Sequence, residues 1–171
     1  MIEHKGAATF KGNPLTLLGD MPKVGDKAPD AELTGNDLSK VKISDFRGKI
    51  VVLSAVPSLD TPVCATETRR FNEAAAKMGN DVVILTVSMD LPFAQARWCG
   101  AEGIDKVVTA SDHKTAAMGE AYGVLIKELR LLARTVFVID KNGVIRYIQP
   151  VKEISSEPDY GAVAAAVNAL K

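Results

Sequence analysis

The chain has 171 residues, 47% hydrophobic and 25% charged, the proportions of a soluble globular protein long enough to close one sizeable core. Its 21 Lys and Arg balance 21 Asp and Glu, so the basic footprint of a nucleic-acid binder is missing. The longest apolar runs, Ile50 to Val56 and Val82 to Val87, have strand length and fall short of a membrane span. No apolar signal region opens the chain, and two Cys are too few for a secreted disulfide scaffold, so a cytoplasmic protein is expected.

In chain order, a hairpin is expected from Ala8 to Leu18, with Gly12-Asn13 as its turn and Pro14 starting the return strand. Gly19 to Pro29 reads as a connector, punctuated by Pro22, Gly25 and Pro29. Lys49 to Val56 is a continuous apolar strand of the kind buried on both faces. Pro62 to Gly79 is helical in pattern, with Val63, Phe71, Ala74, Ala75 and Met78 on one broad apolar face. A second buried strand (Asp81 to Ser88), a short helix (Leu91 to about Glu102) and a short strand (Val107 to Ala110) follow. A helix from Lys114 to Tyr122 ends at Gly123. Arg134 to Asp140 and Val144 to Gln149 form a hairpin through Lys141-Asn142-Gly143, and Pro158 to Leu170 closes the chain as an Ala-rich helix. This order predicts an α/β protein with a mixed parallel and antiparallel sheet, residues 1–171 forming one domain. A thioredoxin-like sheet sandwiched by helices suits it, whereas a flavodoxin-like sheet has no place for the late hairpin.

The strand ending at Val56 runs into Pro57-Ser58-Leu59-Asp60-Thr61-Pro62-Val63-Cys64. With Pro62 in a first turn, Cys64 meets unpaired backbone N–H groups and the positive end of the helix dipole, which favour the nucleophilic thiolate. The alternative is a Cys that merely packs, as buried Cys commonly does. Thr61 either faces the sulfur or, with Asp60, caps the helix, and pattern alone favours capping. Arg134, at the head of the apolar run Thr135 to Ile139, either snorkels to solvent or pairs with an anion at the sheet edge. Cys99 follows Cys64 by 35 positions, which rules out a C-x-x-C dithiol. A disulfide between them would need Cα atoms within about 7 Å, and hence local unwinding beside Gly100; a packed free thiol is the other possibility. Neither His4 nor His113 joins the two Cys with metal-ligand spacing, so no metal is expected.

The string Pro57 to Cys64 resembles the P-x-x-x-T-x-x-C signature of peroxiredoxins. Arg69-Arg70-Phe71-Asn72, Asp90-Leu91-Pro92-Phe93-Ala94-Gln95, Cys99 to Gly103, Ala133-Arg134 and Ser156 to Tyr160 narrow the resemblance to the bacterial thiol peroxidase subfamily, over nearly the whole chain. The resemblance implies a thioredoxin fold with an N-terminal β-hairpin, a homodimer, and a hydroperoxide reductase without metal or organic cofactor. By position, Cys64 would be the peroxidatic cysteine and Cys99 the resolving one. Thr61 would orient the peroxide, Arg134 would stabilise the thiolate and the developing charge, and Pro57 would shield the sulfur. Thioredoxin would be the reductant, and alkyl hydroperoxides the preferred substrates, ahead of hydrogen peroxide. Leu59, Phe93 and Trp98 are candidates to line their pocket. A peroxide sensor without turnover, or a structural protein with inert thiols, are the competing readings.

Overall fold

The computed structural model describes residues 1–171. It opens with β1 (Glu3–Phe10) and β2 (Asn13–Leu18), paired antiparallel as an N-terminal hairpin. The turn lies one residue earlier than expected: Phe10 pairs with Asn13, so Lys11 and Gly12 make the bend. Both have positive φ (49° and 80°), the conformation that matches a two-residue turn to the twist of its strands. Then come β3 (Glu32–Gly35) and β4 (Lys40–Lys42), an antiparallel pair that the sequence did not signal because the strands are short and one is polar.

The central elements are β5 (Ile50–Ala55), α1 (Pro62–Met78), β6 (Val82–Ser88), α2 (Pro92–Glu102) and β7 (Val108–Ser111). They are followed by α3 (Ala117–Ala121), β8 (Leu125–Ile126), β9 (Thr135–Ile139), β10 (Ile145–Pro150) and α4 (Tyr160–Asn168). The third helix begins at Ala117 rather than Lys114, because Ala116 adopts a left-handed conformation (φ 55°). Asp112 takes over the cap, accepting from the N–H groups of Met118 (3.1 Å) and Gly119 (2.8 Å).

The main sheet has the order β10-β9-β5-β6-β7-β3-β4, parallel across β5, β6 and β7 and antiparallel elsewhere, while β1, β2 and β8 form a second sheet. The mixed α/β architecture with a late hairpin is therefore as the sequence predicts.

Strand periodicity divides the core. Val51, Leu53, Ala55, Phe137 and Ile139 face Leu15 and Leu17 of the hairpin and the α3–β8 region. Ile50, Val52, Val136 and Val138 face the other way, against Phe71 and Met78 of α1 and Val163 and Val167 of α4. Each Val, Leu, Ile, Phe or Met side chain among them contributes about 1.5–3 kcal/mol on burial. Ala74 and Ala75 pack against this second cluster as expected, but Val63 is not part of it.

Candidate active site

The same alternation of side chains aims the site residues. Ser54 has the parity of Ile50 and Val52, and so points from β5 toward α1. The antiparallel register of β5 and β9 pairs Ala55 with Thr135, which sets residue 134 one step beyond, beside the strand end that leads into Pro57. Arg134 shares the parity of Val136 and Val138 and so also faces α1.

At the start of α1, Thr61 is the N-cap residue, Pro62 the first helical residue and Cys64 the third. Cys64 thus lies in the first turn, among backbone N–H groups without intrahelical acceptors. Its residue is 0% exposed. Arg134 donates from Nη2 to Cys64 Sγ at 3.1 Å. The snorkelling alternative for Arg134 is not realised: its side chain is 1% exposed. Nε and Nη2 both donate to the Ile154 carbonyl (3.1 and 2.9 Å), and Nη1 donates to Glu67 Oε2. Glu67 in turn accepts from Ser54 Oγ at 3.1 Å.

Sequence reasoning missed Glu67. The available signal was its place three residues after Cys64, which puts both on one face of α1. Burial drives the Glu67 carboxyl above the ordinary carboxylate range, and the Arg134 guanidinium and Ser54 hydroxyl pull it back only in part. Burial also opposes the Arg134 charge, but the Glu67 carboxyl and the Cys64 sulfur outweigh it, raising the guanidinium above its usual value. The cation beside the sulfur is therefore firmly protonated.

Thr61 does not cap with its side chain as its pattern favours. Its hydroxyl donates back to the Ser58 carbonyl at 2.8 Å. Pro57 is buried at the strand end. Leu59 shares a small apolar cluster with Val56 and Cys64, and Trp98 packs against it. Leu59, Phe93 and Trp98 all line one groove of about 680 Å³, together with Ser58, Asp90 and Leu91. Cys64 does not line it; the residue is fully buried and packs with Leu59, which does.

Cys99 stands apart from this cluster, in the last turn of α2. Gly103 ends that helix in the left-handed conformation and its N–H bonds the Cys99 carbonyl. Both Cys are free thiols. Cys99 Sγ lies 3.5 Å from Thr109 Oγ1, whose own hydrogen goes to Asn36 Oδ1 at 3.0 Å, so the Cys99 thiol is the donor. No group of three or more His, Cys, Asp or Glu side chains is placed to hold a metal ion. No helix is long and apolar enough to cross a membrane.

A buried Cys at a helix start, bonded by a buried guanidinium, is the arrangement of an activated sulfur nucleophile. Known proteins place it in a family. The Redoxin profile matches residues 23–164. A thiol peroxidase of Oceanobacillus iheyensis is 57% identical over 160 residues, 94% of this chain and 97% of that protein. Among solved structures, a peroxiredoxin-like protein from Aquifex aeolicus superposes with a TM-score of 0.91 at 45% identity, covering 98% of this chain and 99% of that one. A thiol peroxidase from Chromobacterium violaceum shares the fold alone, with a TM-score of 0.85 at 17% identity over 95% of each chain. The chain belongs to the Redoxin family and has the thioredoxin-like peroxiredoxin fold. Within it the chain groups with the thiol peroxidases: it is an oxidoreductase that acts on peroxide through a thiol.

Proposed function

We propose that the chain reduces alkyl hydroperoxides and hydrogen peroxide with Cys64 as the attacking sulfur, Cys99 as the resolving one and thioredoxin as reductant. The observation that carries this reading is the 3.1 Å bond from Arg134 Nη2 to Cys64 Sγ at the first turn of α1. The Cys64 thiolate attacks one peroxide oxygen: an S–O bond forms, the O–O bond breaks, and the other oxygen leaves with a proton as alcohol or water. Four of the five Arg134 N–H groups are engaged by Ile154, Cys64 and Glu67. The second Nη1 hydrogen is left to meet the charge developing on the peroxide oxygens. Because the Thr61 hydrogen is committed to Ser58, its oxygen accepts from the peroxide O–H and so orients it. Pro57 and Leu59 shield the sulfur, and the groove bearing Phe93 and Trp98 takes the apolar part of an alkyl hydroperoxide.

Cys99 then displaces water from the Cys64 sulfenic acid, forming an intrachain disulfide, and a reduced dithiol protein opens it by exchange. No cofactor enters any step. In this reading the enzyme is a cytoplasmic homodimer of single-domain subunits. The test is intact-mass analysis after one equivalent of peroxide. The native chain should lose two hydrogens, Cys99→Ser should gain one oxygen, and Cys64→Ser should be unchanged and inactive with thioredoxin, its reductase and NADPH. Full turnover by Cys64→Ser would overturn the assignment.

A further inference from the structure

Asp90 sits between β6 and α2, ahead of the helix that carries Cys99, and its carboxylate reaches the loop that leads into Cys64. Ser58 Oγ donates to its Oδ1 at 2.7 Å. The Leu59 N–H (2.8 Å) and Ser88 Oγ (2.6 Å) donate to its Oδ2. The Ser111 hydroxyl donates to its backbone carbonyl. The contacts continue in both directions. Toward α1, Ser58 Oγ accepts the Asp60 N–H at 3.1 Å, and the Ser58 carbonyl accepts the Thr61 hydroxyl at 2.8 Å. Toward α2, Ser88 Oγ accepts from Gln95 Nε2 at 2.9 Å, and the same Nε2 donates to the Ala110 carbonyl. A run of hydrogen bonds thus links Gln95, one turn before Cys99, with Thr61, one turn before Cys64. Its centre is a charged acceptor whose three donors are neutral, the arrangement that gives the stronger class of hydrogen bond.

We infer that Asp90 is a positioning residue that latches the loop before Cys64 to the helix bearing Cys99. The inference rests on the roles proposed above for the two Cys. While the latch holds, Ser58 to Thr61 are fixed for peroxide attack, and α2 keeps Cys99 on Thr109. Disulfide formation requires the last turn of α2 and the first turn of α1 to approach, so the latch must give during that step. Asp90 therefore favours the first chemical step and slows the second. A residue that served stability alone would weaken both.

The two steps separate cleanly. Oxidation of Cys64 is followed in a Cys99→Ser background, and disulfide closure in the native background after a peroxide pulse, by stopped-flow fluorescence of Trp98 with mass analysis of quenched samples. Asp90→Asn leaves one oxygen where two accepted and turns an NH2 toward donors. It should slow Cys64 oxidation about tenfold and speed disulfide closure by several-fold. Ser58→Ala, which removes one donor to Asp90, should move both rates the same way by less, and guards against a folding defect in Asp90→Asn. Unchanged rates, or both steps slowed together in both variants, would overturn the latch while leaving the roles of the Cys intact. If the native chain forms no Cys64–Cys99 disulfide, the underlying reading falls and the latch with it.

Discussion

At the scale of single residues, the site is an account of how one buried cation is held. Arg134 is 1% exposed and would be costly without partners. Glu67, itself held by Ser54, and the Ile154 carbonyl supply them, and the Cys64 sulfur completes the set. Removing one member of a buried pair leaves the other charge uncompensated, which typically costs about 3–5 kcal/mol. Glu67→Ala should therefore lower stability by that order in urea unfolding, while Glu67→Gln, whose one carbonyl oxygen still accepts from Arg134 and whose NH2 can donate to Ser54 Oγ, should lose under half as much. Equal losses would mean that packing, not pairing with Arg134, explains the presence of Glu67.

At the scale of elements, the N-terminal hairpin reaches the site through a strap. Thr9 of β1 bonds Lys152 and Ile154 through backbone groups (2.7 and 2.9 Å), and Ile154 offers its carbonyl to Arg134. Glu153 fastens the same strap, accepting from Ser155 Oγ, the Gly12 N–H at 2.9 Å and Thr9 Oγ1 at 3.1 Å. The Ser155 hydroxyl and then the Gly12 and Ser155 N–H groups hold its carboxyl down to about 2 from 4.5. The folded value lies below the unfolded one, so the contribution is complete above pH 4.5 and disappears as pH falls toward 2. Over that window the native chain should lose more Tm than Glu153→Gln, and the β1 amides should exchange faster. Identical acid profiles would remove Glu153 from the fastening. The larger elements were legible because length and period speak strongly: α1 runs Pro62–Met78, as its Pro start and Gly79 end announce. Residues 30–48 hid β3 and β4, since strands of four and three residues are formed by pairing partners rather than by pattern. The hairpin turn slipped by one residue because Lys11 takes a positive φ that Asn or Gly more commonly takes.

At the scale of the whole molecule, five distant segments converge on one sulfur: β5, the first two turns of α1, the start of β9, the strap at Ile154 and, through Leu59, the wall shared with α2. Cys64, Thr61 and Arg134 were visible as separate candidates because each is an unusual residue type in its context. Their assembly was not, since it depends on the antiparallel register of β5 and β9, a long-range fact that no local pattern carries. Glu67 was hidden for the same reason: its partner lies 67 positions away. The central claim is that this convergence makes the Cys64 sulfur reactive through Arg134. Its most direct measurement is the second-order rate of the first oxidation of Cys64 by an alkyl hydroperoxide, native chain against Arg134→Ala, each in the Cys99→Ser background. The native rate should far exceed that of free cysteine, and the variant should lose about 10²–10³ of it, as when one preorganised donor is removed from a site of developing charge. A variant that oxidises as fast as the native chain, or a native chain no faster than free cysteine, would contradict the account.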